Sequence, residues 1–82
     1  MQTSRSGLFL KEEEVEKILL NEPGLKDFWF QHAPLLLFRG RPTLPDPFFE
    51  IQLVWDLGDR VETYAWLWVD SLQGRILRRF PE

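Results

Sequence analysis

The chain has no cysteine, so no disulfide staples it and no thiolate is available as nucleophile or metal ligand. His32 is the one histidine, so a His- or Cys-based structural zinc site has no ligand set. It stands two residues before Pro34 in an aromatic stretch and is assigned a structural or exposed role. Serine is scarce as well. Ser4 and Ser6 lie in a polar N-terminal stretch and Ser71 lies in a turn, so a Ser-His-Asp triad lacks its parts. There is no glycine-rich phosphate loop. No run approaches the roughly 18 apolar residues of a membrane span. Residues 1–10 lack the long apolar core of a signal peptide. A cytoplasmic location is expected if the chain is complete, and an extracytoplasmic one if a leader has been removed. Positive charge is also in short supply: 10 Lys and Arg stand against 13 Asp and Glu, for a net −3. A general nucleic-acid binder would show a basic excess. These absences lead to the expectation of a non-catalytic protein without cofactor or metal.

What the chain has in quantity is aromatic side chains, 15% of its 82 residues. A chain this short forms one domain and buries only roughly 60–65% of its unfolded surface, so its core is thin. Large rings bury much area each and substitute for size.

Phe48 to Phe80 organises the rest. It reads as strand, turn, strand, turn, strand. The first turn, Asp56-Leu57-Gly58-Asp59-Arg60, needs Gly58 for a positive φ. The second, Asp70-Ser71-Leu72-Gln73-Gly74, lets Asp70 bond its own backbone and places Gly74 at the exit. Upstream, residues 1–9 are expected to form a flexible N-terminus, and 10–82 a single domain. Lys11 to Asn21 reads as one helix, with Val15, Ile18 and Leu19 on one stripe and Pro23-Gly24 as the stop. Glu12, Glu13, Glu14 and Glu16 read as a solvated acidic face whose first turn complements the helix dipole. Residues 25–38 are expected to be an irregular aromatic segment followed by a short strand from about Leu35 to Arg39. Pro34 excludes a central strand at its position. The fold class that results is α+β, with one N-terminal helix packed on an antiparallel meander of three to four strands.

The sheet poses a coverage problem. Phe49, Ile51, Leu53 and Trp55 share one face of the first long strand, and Phe48, Glu50, Gln52 and Val54 the other. If Asp56 pairs directly with Val61, Trp66 and Trp68 join Ile51 and Phe49. If an odd residue bulges out at the turn, Ala65, Leu67 and Val69 join them instead, and Tyr64, Trp66 and Trp68 gather on the second face. Either way both faces of the middle strand are apolar, and one short helix covers only one. Residues 25–38 fold over the other face, or a partner does.

The chain resembles a PepSY-type domain over about residues 10–80. The residues that carry the resemblance are Lys11-Glu12-Glu13 with Val15 and Leu19, Pro23-Gly24, Phe49-Glu50-Ile51-Gln52-Leu53, Gly58, Leu67-Trp68-Val69-Asp70 and Gly74-Arg75-Ile76-Leu77. The departures are Leu10 where a Ser or Thr usually precedes the helix, Val15 and Leu19 in place of inner-face alanines, and a longer, more aromatic 25–47 segment. The resemblance implies a helix on an antiparallel sheet, an extracytoplasmic setting, and peptidase inhibition or other non-catalytic binding. It also implies that Leu67 and Val69 share the core face with Ile51 and Leu53, leaving Tyr64, Trp66 and Trp68 on the second face.

Three functions are weighed. The first is a non-catalytic protein-binding module, in a peptidase-inhibitory or regulatory role, acting through an aromatic sheet face or a sheet edge. Its candidate partner-binding residues are Tyr64, Trp66, Trp68, Phe48, Arg75 and Arg78, because Trp, Tyr and Arg dominate interface hot spots. The second is an obligate homodimer with the same face paired about a two-fold axis. The third is a nucleic-acid binder whose arginines (Arg75, Arg78 and Arg79, with Arg39 and Arg41) hold phosphates while tryptophans stack bases. Against it stand the net charge and the common use of edge charges to block aggregation. Asp56, Asp59 and Asp70 would hold a hard cation only if the two turns converged, and the turns belong at opposite ends of the middle strand.

Overall fold

The computed structural model describes residues 9–81. Most of the stretch expected to be a flexible N-terminus therefore lies outside the described residues. The first element, α1, spans Glu12–Leu20. Lys11 is a poor N-cap residue by type, and the helix start is instead secured by Glu14, whose carboxylate accepts the Lys11 backbone N–H at 2.8 Å. Val15 and Leu19, one turn apart, are fully buried, whereas Ile18 on the edge of the stripe stays half exposed. The chain then turns through a 3-10 helix, Pro23–Leu25, with proline in its first turn.

Residues 26–30 differ from the irregular segment expected of them. Lys26–Phe30 forms a short helix, α2. A five-residue helix is too short to stand on propensity alone. It is held by packing: Phe28 is fully buried, and Trp29 Nε1 donates to the Leu19 carbonyl at the end of α1, at 3.2 Å.

Four antiparallel strands follow in meander order: β1 Ala33–Gly40, β2 Phe48–Asp56, β3 Val61–Asp70 and β4 Ile76–Phe80. Strand β1 begins two residues earlier than expected and includes Pro34, which a sheet tolerates only at an edge. Both sequence-predicted turns have the expected chemistry. Gly58 has φ +95°, and its N–H bonds to Asp56 Oδ1 at 3.0 Å. Gly74 has φ +79°, and Asp70 Oδ2 accepts the Gln73 N–H at 2.6 Å.

The register of β2 on β3 combines the two alternatives set by the sequence. Asp56 does pair with Val61, but the ladder shifts between Leu53 and Val54, which face Ala65 and Thr63. Tyr64 is the extra residue of this bulge. Its insertion inside the strand, rather than at the turn, brings Leu67 opposite Ile51 and Val69 opposite Phe49. The core is then Phe49, Ile51, Leu53, Ala65, Leu67 and Val69 under Val15, Leu19, Leu25 and Phe28. The single described polar residue in the buried set, Ser71, is paired: its Oγ donates to the Pro47 carbonyl at 2.6 Å.

Candidate binding face of the sheet

Both helices lie on the Ile51 and Leu67 side of the sheet, because that is where their buried residues meet the strands. Residues 25–38 do not cross to the second face. Leu25 and Phe28 join the core, and Ala33–Gly40 extends the sheet sideways. The expectation that this segment folds over the tryptophans is therefore corrected. Its apolar Leu35–Phe38 run pairs with β2 edge to edge, satisfying backbone groups that a covering loop would leave open.

The second face is laid out by pairing. Glu50, Trp68 and Arg78 form one cross-strand row, and Gln52, Trp66 and Phe80 the next. Phe48, diagonal to Trp68, stacks on it with ring centroids 5.0 Å apart and planes 21° apart. Phe80 meets the same indole edge to face at 6.0 Å. The Arg78 guanidinium lies 5.2 Å from the Trp68 ring centre and 4.7 Å from that of Phe80. It roofs the pair in cation–π geometry. Trp66, Trp68, Phe48 and Phe80 all remain half-buried and Arg78 is exposed.

Beside this aromatic half lies a mixed half, where Leu35, Leu37 and the buried Val54 share the face with a polar chain. Arg39 Nε donates to Gln52 Oε1 at 2.9 Å, and Gln52 Nε2 donates to Thr63 Oγ1 at 2.7 Å. These bonds hold the middle of the face in one arrangement. No carboxylate among the described residues pairs with Arg78, so its charge is open to a ligand.

Two of the sequence-predicted residues sit elsewhere. Tyr64 is on the helix side, stacked on Phe28 at 5.2 Å and tilted against Trp55 at 4.8 Å. Its assignment to the second face with Trp66 and Trp68 is corrected: as the bulge residue it leaves the strict alternation that the assignment assumed. Arg75 precedes β4, exposed beside the second turn, and its carbonyl accepts the Asp70 N–H at 2.7 Å. The arginines do not form one basic edge either. Arg78 faces the tryptophans, whereas Arg79 reaches the helix side, donating to Tyr64 Oη at 3.0 Å and the Gly24 carbonyl at 3.3 Å. Adjacent strand residues point to opposite faces, which is why a run of arginines in β4 cannot all serve one surface.

Phe80 and Gln52 belong to the face but were not among the predicted residues. Phe80 was legible, since it lies two residues from Arg78 and thus on the same side of the strand. The two turns carrying Asp56, Asp59 and Asp70 are at opposite ends of β3, and no three His, Asp or Glu side chains converge among the described residues. No described helix is long and apolar enough to cross a membrane. The fold and the face together define a small α+β domain whose sheet is covered on one side and bare on the other. No family model matches the chain, and no curated protein or solved structure gives a significant match.

Proposed function

We propose that this protein is a non-catalytic binding module that docks a protein partner on the bare face of its sheet. The observation that carries the reading is the Phe48–Trp68–Phe80 cluster roofed by Arg78, on a face that no described segment covers. Trp and Arg at the centre of such a patch are the side chains that dominate interface energetics. The partner surface that fits is apolar, with a carboxylate placed against Arg78. The resemblance to PepSY-type domains supports a peptidase or a membrane-associated complex as the partner class.

The test is capture of partners by the wild-type chain, followed by titration of the purified partner against variants. Trp68→Ala and Arg78→Ala abolish or weaken binding, while Tyr64→Phe, altered only on the helix side, binds as wild type. Sedimentation across concentration supplies the competing outcome. A dimer that Trp68→Ala dissociates would replace the partner with a second copy of the chain. Oligonucleotide binding with steep salt dependence would move the reading to nucleic acid.

A further inference from the structure

A second surface lies at the opposite side of the sheet from β4. Here α1 does not reach the edge strand, and a groove of about 740 Å³ opens between them. Its apolar lining includes Leu10, Leu36 and Phe38, and its charged lining is Glu12, Glu13 and Glu16 with Lys11 and Arg41. Leu36 and Phe38 are only half-buried although they point to the core side. Arg41 pairs with Glu12 at 3.1 Å. Glu13 and Glu16 are exposed and have no basic partner among the described residues.

The backbone beside this groove is open. Pro34 has no N–H, so its pair with Trp55 is one of those without ladder hydrogen bonds. The pairs Leu36↔Leu53 and Phe38↔Ile51 have the same parity. Leu36 and Phe38 therefore aim their N–H and C=O groups away from β2, to the free edge. None of the described turn and loop hydrogen bonds ends on them. The two edges of the sheet are guarded differently. Strand β4 carries Arg78 and Arg79 and a register shift after Ile76, devices that block strand addition. Strand β1 carries such guards only at its ends, Pro34 at one and Arg39 with a register shift between Phe38 and Gly40 at the other, and four consecutive apolar residues, Leu35–Phe38, run between them.

We infer that the β1 edge and its groove form a second binding site, for an extended peptide segment carrying lysine or arginine at alternate positions. The segment adds as a fifth strand, bonded to Leu36 and Phe38. A residue paired across an antiparallel ladder shares the face of its partner, so every second side chain of the segment stands in the groove. A long cationic side chain fits it: the methylene stem lies on Leu36 and Phe38, and the charge reaches Glu13 and Glu16. This site shares no residue with the Trp68 face and does not depend on it.

The test uses the full chain and a fluorescently labelled peptide alternating lysine and valine, with a glutamate–valine peptide as control, read by anisotropy and by amide shifts. The lysine peptide binds, the glutamate peptide does not, and the Leu36 and Phe38 amides move. Leu36→Pro removes an outward N–H without removing a ladder bond, and should weaken binding roughly ten-fold or more while the circular dichroism spectrum is kept. Glu13→Lys with Glu16→Lys should also weaken it by roughly ten-fold, with a shallower salt dependence. Binding that survives both sets of changes overturns the inference, as does no binding by the wild type. Binding lost in Trp68→Ala but kept in Leu36→Pro would place the peptide on the bare face instead, overturning the edge site while leaving the proposed function standing.

Discussion

Tyr64 lies stacked on Phe28, with ring centroids 5.2 Å apart and planes 25° apart, because a bulge turns it toward the helices. Its hydroxyl also accepts a hydrogen bond from Arg79 at 3.0 Å. One side chain thus ties β3, α2 and β4 together on the covered side.

Removing only the hydroxyl, in Tyr64→Phe, should keep the stack and cost about 1 kcal/mol. Tyr64→Ala also removes the ring and should cost about 2–4 kcal/mol, somewhat below or within the range for large aromatic truncations because the side chain is half-buried. A double-mutant cycle of Tyr64→Phe with Arg79→Met should show coupling of about 0.5–1 kcal/mol. Urea unfolding checks this, and strictly additive effects would mean that the Arg79 bond contributes nothing in solution.

The two turn glycines should respond unequally to alanine. Both have positive φ, where an L side chain costs about 1–2 kcal/mol. At Gly58 an added Cβ meets nothing within 4 Å, but at Gly74 it comes within 2.5 Å of Ile18 Cδ1. Gly74→Ala should therefore lower the melting temperature more than Gly58→Ala. The excess should shrink in an Ile18→Ala background, since the clash is with the far end of one side chain. Equal shifts in both backgrounds would refute the contact.

Trp68→Ala and Phe28→Ala remove large rings from opposite sides of the sheet. Phe28 is fully buried, and its loss should cost about 3–5 kcal/mol, a large fraction of the total for a domain of this size. Trp68 is half-buried among Phe48, Phe80 and Arg78, and its loss should cost about 1–3 kcal/mol and leave a cooperative fold. Thermal unfolding followed by circular dichroism distinguishes the two. A Trp68→Ala chain that fails to fold would mean that the bare face is a second core.

Ser71→Ala removes the buried hydroxyl that bonds the Pro47 carbonyl at 2.6 Å. That carbonyl keeps the Ser71 N–H at 3.1 Å, so the cost should be only about 1 kcal/mol. Stability measured by denaturant titration tests it, and a loss several times larger would point to a rearranged loop.

Much of the fold can be read along the chain. The positions of Gly58 and Gly74 mark the last two turns of the meander, the spacing of Val15 and Leu19 marks the buried stripe of α1, and Pro34 restricts its strand to an edge. The short helix Lys26–Phe30 was not legible, since what holds it is Phe28 in the core and the Trp29 bond to α1, neither of which is a local property. The bare face was half legible. Alternation alone groups Phe48, Trp66 and Trp68 only once the register is known, and the same alternation placed Tyr64 on the wrong side.

The sequence by itself determined the first helix, the strands, the two glycine turns and a surplus of apolar surface over what one helix can cover. It did so because period, glycine and proline act within a few residues. Tertiary structure decided which surface is left over. A single extra residue in β3 sets the face of every side chain beyond it, and that residue is held by Phe28, Trp55 and Arg79, which come from three other elements. Trp66 and Trp68 face away from the helices because of contacts distant from them in the chain.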